Sequence, residues 1–139
     1  IVDFAVQMKG QSLREGLDAW HAKAEGNATI DYGFHMIIGG VDESSLKAMD
    51  VLVDEGITSF KLFMAYPGVY LSDDGQILRA MQQAAGNGGL IMMHAENGLA
   101  IDVLAEQAVE RGETSLDEHA VQSVLRAARG LAARPPPPR

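Results

Sequence analysis

Short apolar runs alternate with capped helical segments along most of this chain, and that alternation leaves few folds open. Residues 1–6 are apolar and partly β-branched. Ser12-Leu13-Arg14-Glu15 has the form of a capping box, after which Leu13, Leu17, Trp20 and Ala24 recur at helical spacing as far as Gly26-Asn27. A second strand is expected over residues 29–38, stopped by Gly39-Gly40. Asp42 opens a helix with Leu46, Met49 and Val53 on one stripe and Gly56 at its end. Residues 57–65 are a third strand, followed by a loop over residues 66–72 that turns on Pro67-Gly68. Asp73 and Gln76 cap the next helix, marked by Ile77, Met81 and Ala84 and ended by Gly86-Asn87-Gly88-Gly89. Residues 90–95 are the fourth strand, and Asn97-Gly98 leads into a helix carrying Ile101, Leu104, Ala105 and Ala108, closed by Gly112.

The order is βαβαβαβα, which predicts an α/β fold with a parallel sheet. The strands are almost continuously apolar, so both sheet faces are expected to be covered. At 139 residues the chain holds a real core, but a complete barrel of eight strand–helix units needs roughly 250 residues. It opens directly on a strand pattern without Met, so the expectation is a segment of a longer protein. Two domains are read: 1–115, the βα region, and 116–139, an Ala-, Arg- and Pro-rich tail. In the tail Ser115-Leu116-Asp117-Glu118 resembles a further capping box, and Pro135 to Pro138 must be extended polyproline.

Composition excludes several functions. A net charge of −8 offers no basic stripe for phosphates, so nucleic acid is not an expected partner. No apolar run approaches the roughly 18 residues of a membrane span, so no membrane partner is expected either. The chain has no cysteine, which removes disulfides and thiolate metal sites and accords with a cytoplasmic location.

Lys61 carries most of the chemical information. It lies inside Thr58-Ser59-Phe60-Lys61-Leu62-Phe63-Met64-Ala65-Tyr66, a buried strand pattern. An ammonium there is costly unless it is paired, neutralised or modified. A desolvated lysine amine is a nucleophile. It can also take up carbon dioxide to become a carbamate, an oxygen donor able to bridge two metal ions. His94 ends the next strand, Leu90-Ile91-Met92-Met93. Reactive groups of parallel α/β folds gather at the C-terminal ends of strands, so Lys61 and His94 together point to a metal site. Taken singly, each also has a plainer explanation: a lysine snorkelling past a strand end, and a core histidine bonded to a carbonyl. Tyr66 follows the lysine strand, where a phenol can donate to a substrate carbonyl or oxyanion. His35, in the second strand, is a weaker candidate with a packed or supporting role. Glu96 and Asn97 stand where they can orient His94 or its loop, while His21 and His119 are expected at the surface.

These stretches resemble dihydropyrimidinase, also called D-hydantoinase, of the amidohydrolase superfamily. The resemblance rests on Ile1-Val2-Asp3-Phe4-Ala5, Asp31-Tyr32-Gly33-Phe34-His35-Met36, Gly56 through Tyr66 and Met93-His94-Ala95-Glu96-Asn97-Gly98, collinear from Ile1 to about Ser115. It implies a partial (β/α)8 barrel, about four consecutive parallel βα units, from a hydrolase of cyclic ureides acting in pyrimidine catabolism. It also implies two Zn²⁺ bridged by carboxylated Lys61, with His94 a ligand of the second metal and Tyr66 the contact to substrate and oxyanion. It further implies a homotetramer for the whole enzyme. The family's His-x-His pair belongs before Ile1, and a further His and an Asp belong beyond this chain. The tail departs from the family pattern. A piece with two open sheet edges is expected to be oligomeric or aggregation-prone, and inactive alone. Two other activities remain open at this point: a non-catalytic dihydropyrimidinase-related scaffold protein, and an allantoinase-like ring opener.

Overall fold

The computed structural model describes residues 1–112. In order these form β1 (Val2–Val6), α1 (Leu13–Ala24), β2 (Gly33–Ile37), α2 (Glu43–Asp54), β3 (Ser59–Phe63), α3 (Asp74–Asn87), β4 (Leu90–His94) and α4 (Gly98–Glu110). The tail, with its expected capping box at Ser115–Glu118 and His119, lies outside the described residues. Two compact units divide at His94 and Ala95. The first holds the four strands and α1–α3. In the second, Asn97 caps α4 by accepting a hydrogen bond from the Ala100 N–H at 3.1 Å.

The helices begin where short polar side chains satisfy their first N–H groups. Ser12 and Glu15 form the expected capping box on α1, and Asp73 and Gln76 form the one on α3. Asp42 caps α2, with Ser45 completing a third box that the usual Glu or Gln pattern does not announce. The second and third strands are shorter than the apolar runs, because parallel pairing covers only residues 33–37 and 59–63.

The sheet order is β1-β2-β3-β4 and every neighbouring pair is parallel. Each right-handed crossover therefore steps in the same direction and lays its helix on the same face. An open doubly wound sheet reverses its order midway; this one does not, and winds as a barrel does.

Alternate residues divide the two faces. Ala5, Phe34, Met36, Ile38, Phe60 and Leu62 point towards the helices and cluster with Leu13, Leu17, Met49, Leu52, Ala80 and Ala84. Fully burying a side chain of this kind stabilises by about 1.5–3 kcal/mol, so this layer holds the unit together. Gly16 lets α1 approach closely: a Cβ there would stand 2.8 Å from the Val6 carbonyl oxygen. On α3 the buried residues are Ala80 and Ala84, while Met81 is 48% exposed.

The other face carries Phe4, His35, Lys61, Phe63, Met92 and His94, as the register Phe4↔His35, Ile37↔Lys61, Lys61↔Met92 and Phe63↔His94 requires. The helices of this unit leave that face uncovered: Val2 is 56% exposed and Phe4 37%. The expectation of cover on both faces is therefore not met within the unit. The apolar strand composition reflects a barrel interior rather than a second helical layer.

Candidate active site

Lys61 occupies the middle of β3, and His94 is the last residue of β4. Because Lys61 is in register with Met92, two residues before His94, both side chains leave the same face of the sheet. Phe63 lies between them. The Lys61 Nζ is 5.2 Å from the Phe63 ring centroid, within cation–π reach. His94 stacks on the same ring, with centroids 5.3 Å apart and an interplanar angle of 23°. The Met64 N–H donates to the His94 carbonyl at 3.0 Å, so the two strands stay paired up to the histidine.

Tyr66 joins this group from the loop after β3. Its ring centroid is 5.4 Å from that of His94 and 5.8 Å from that of Phe63. Its backbone φ is +62°, in the left-handed region that a bulky side chain rarely enters. The Val69, Tyr70 and Leu71 N–H groups all donate to the Tyr66 carbonyl, at 3.0, 3.0 and 3.2 Å. The Ser72 N–H donates to the Phe63 carbonyl at 2.9 Å. These bonds fold the loop back over the strand end and lay Tyr70 on Phe63 at 5.2 Å. Lys61, His94 and Tyr66 are thus brought together around Phe63. Phe63 and Tyr70 were not singled out by sequence; counting in twos from Lys61 would have placed Phe63 on the same face.

His35 shares this face. Its Nδ1 is hydrogen-bonded to the Ser59 hydroxyl, and its ring centroid lies 5.0 Å from that of Phe4. Ser59 is two residues before Lys61, so the pair forms a polar layer one step deeper. His21 is exposed on α1 and meets Phe34 edge-on at 5.0 Å.

Among the described residues no group of three or more His, Cys, Asp or Glu side chains is placed to hold a metal ion. A catalytic zinc takes three protein ligands and an open position. Imidazole and a carboxylated lysine are suitable donors in kind, but Lys61 and His94 are too few to make the centre by themselves. The described residues alone therefore do not fit a two-zinc site.

No family model matches the chain. Individual proteins do. It is 77% identical over 114 residues to a D-hydantoinase of Streptomyces coelicolor, covering 82% of this chain and 24% of that protein. A solved structure of a D-hydantoinase superposes with a TM-score of 0.81 at 44% identity, over 83% of this chain and 25% of the other. A crystal structure of dihydropyrimidinase from Brevibacillus agri gives 0.78 at 42% identity, with the same coverage. Over some four fifths of its length the chain is similar to these D-hydantoinases and dihydropyrimidinases, as an internal fragment of that family would be. It spans about a quarter of the length of these relatives. Its four strands are a consecutive arc of the family's barrel, with Lys61, Phe63 and His94 on the face away from the helices.

Proposed function

We propose that this chain is the part of a cyclic amide hydrolase that supplies Lys61, His94 and Tyr66 to the reaction centre. The reaction is ring opening of a dihydropyrimidine or hydantoin. Water adds across a ring amide: its oxygen joins the carbonyl carbon, the C–N bond breaks, and the nitrogen leaves with a proton, giving an N-carbamoyl amino acid. In the complete protein, Lys61 as a carbamate and His94 would be this chain's ligands to two zinc ions. Bound zinc lowers the pKa of a water and polarises a carbonyl. Tyr66 would donate its phenolic O–H to the developing oxyanion. Phe63 and Tyr70 supply an apolar wall, in keeping with a small, flat, neutral ring as substrate.

The observation that carries this is the gathering of Lys61, His94 and Tyr66 around one phenylalanine at the strand ends, in a chain 77% identical to a protein named D-hydantoinase. A scaffold protein has no need of a lysine on the interior face beside a histidine, which favours the enzyme. The test is a hybrid: residues 1–112 replace the matching segment of the Streptomyces coelicolor D-hydantoinase. Zinc-dependent opening of hydantoin or dihydrouracil by the folded hybrid is expected. A folded hybrid with no turnover would overturn the proposal.

A further inference from the structure

We propose that Gln7 and Gln76 are positioning residues: their side-chain amides tie the loops after β1, β2 and β3 into one frame, which holds Tyr70 against Phe63 and so sets the apolar wall beside Lys61 and His94. That the wall holds substrate rests on the proposed function; the tie between the loops does not.

Gln7 directly follows β1 and is buried. A buried amide must place its polar atoms on partners. Its Nε2 donates to the Gln11 carbonyl at 2.8 Å, within its own loop. Its Oε1 accepts from the Gly39 and Gly40 N–H groups at 3.0 and 3.2 Å, in the loop after β2. Both lone pairs of that oxygen are thereby used. The backbone closes the same junction, with the Gln7 N–H donating to the Ile37 carbonyl at 3.1 Å. Gly39 lies so close that a Cβ would stand 2.4 Å from the Gln7 carbonyl oxygen. The same Cβ would stand 4.0 Å from the Tyr70 Cδ1, so the glycine pinned by Gln7 is also beside the Tyr70 ring.

Gln76 makes the second tie. Its Oε1 accepts from the Asp73 N–H at 3.0 Å and completes the capping box of α3. A Glu would cap equally well. Only an amide adds a donor, and the Gln76 Nε2 donates to the Val41 carbonyl at 3.3 Å. The loop after β2 is thus held by Gln7 at Gly39 and Gly40 and by Gln76 at Val41, the next residue. Asp73 in turn follows Ser72, whose N–H donates to the Phe63 carbonyl at 2.9 Å and anchors the loop after β3 to the end of that strand. Tyr70 lies in that loop and stacks on Phe63 at 5.2 Å. Lys61 and His94 belong to strands rather than to these loops, so the ties bear on the wall and leave the candidate metal ligands in place.

The test uses Gln7→Ala and Gln76→Glu, each made in the hybrid enzyme. Gln76→Glu keeps the cap of α3 and removes only the donor to Val41, so its melting temperature should match the parent's. Amide hydrogen exchange reports local opening segment by segment. Gln76→Glu should speed exchange at Gly39 and Gly40, and Gln7→Ala should speed it at Tyr70 and Ser72, in each case beyond the glutamine's own hydrogen-bond partners. An apolar wall holds ground state and transition state alike, so KM for hydantoin should rise about threefold to tenfold in each variant, with kcat and zinc content close to the parent's. Exchange that changes only at the direct partners of the replaced glutamine would overturn the proposal. So would an unchanged KM in variants of an active parent, or a loss of zinc along with turnover. A folded parent hybrid without turnover would count against the proposed function alone, and the exchange pattern would still decide the tie.

Discussion

Tyr66 holds its backbone at φ +62°, a conformation that costs a bulky residue about 1–3 kcal/mol. Three N–H groups on its carbonyl offset that cost and hold the backbone that carries the phenol. In the active hybrid, Tyr66→Phe should lower kcat by about 10²-fold, the usual loss for one oxyanion donor, and leave zinc content unchanged. Loss of zinc along with activity would show a structural role instead. Gly39 is constrained from another direction: a Cβ there would stand 2.4 Å from the Gln7 carbonyl oxygen. Gln7 also accepts from the Gly39 and Gly40 N–H groups at 3.0 and 3.2 Å. Gly39→Ala should therefore destabilise by about 1–3 kcal/mol, read as a lower urea midpoint. At this scale the sequence made Lys61 conspicuous, because a charge interrupts an apolar strand. It gave no sign of Tyr66's backbone or of the Ser59–His35 bond, since both depend on groups distant along the chain or on a loop closing over it.

Capping and cross-helix ties set how the elements respond to acid. The Asn87 and Gln83 side-chain amides donate to the Asp50 carboxylate at 2.8 and 2.7 Å and join α3 to α2. They hold Asp50 below its ordinary value of 3.8. Backbone and hydroxyl hydrogen bonds from Ser12 hold Glu15 below 4.5, and the Arg14 side chain does the same for Glu55. A carboxylate whose folded pKa is depressed stabilises above its unfolded value, and that contribution is lost as pH falls through the folded value. Stability should thus be level near neutrality and decline below about pH 4.5, the upper of these ordinary values. Asp50→Asn should flatten part of that decline while changing the neutral melting temperature little, as followed by circular dichroism at stepped pH. An unchanged acid limb would contradict the assignment. The helices were legible because their caps are local: Ser12, Asp42, Asp73 and Asn97 all stand where the sequence puts them. The strand ends were less so, because pairing partners rather than composition end a strand.

For the whole molecule, the parallel order β1-β2-β3-β4 follows from the βα period, but which face stays open does not. Every strand carries apolar residues on both sides, and only the common direction of the crossovers shows that the helices take one of them. The open face bears the candidate site, so the 139-residue chain by itself should show no turnover of hydantoin or dihydrouracil with added zinc; turnover would mean that its own residues complete the centre. The central claim is that Lys61 and His94 hold metal for ring opening. Its most direct test is zinc content and turnover, measured together, for the hybrid enzyme and its Lys61→Ala and His94→Ala variants. The account predicts two zinc ions per chain and turnover in the hybrid, with less zinc and at least about a 10³-fold loss of kcat/KM in each folded variant, roughly 4 kcal/mol of transition-state stabilisation. Full zinc content and undiminished turnover in either variant would contradict it.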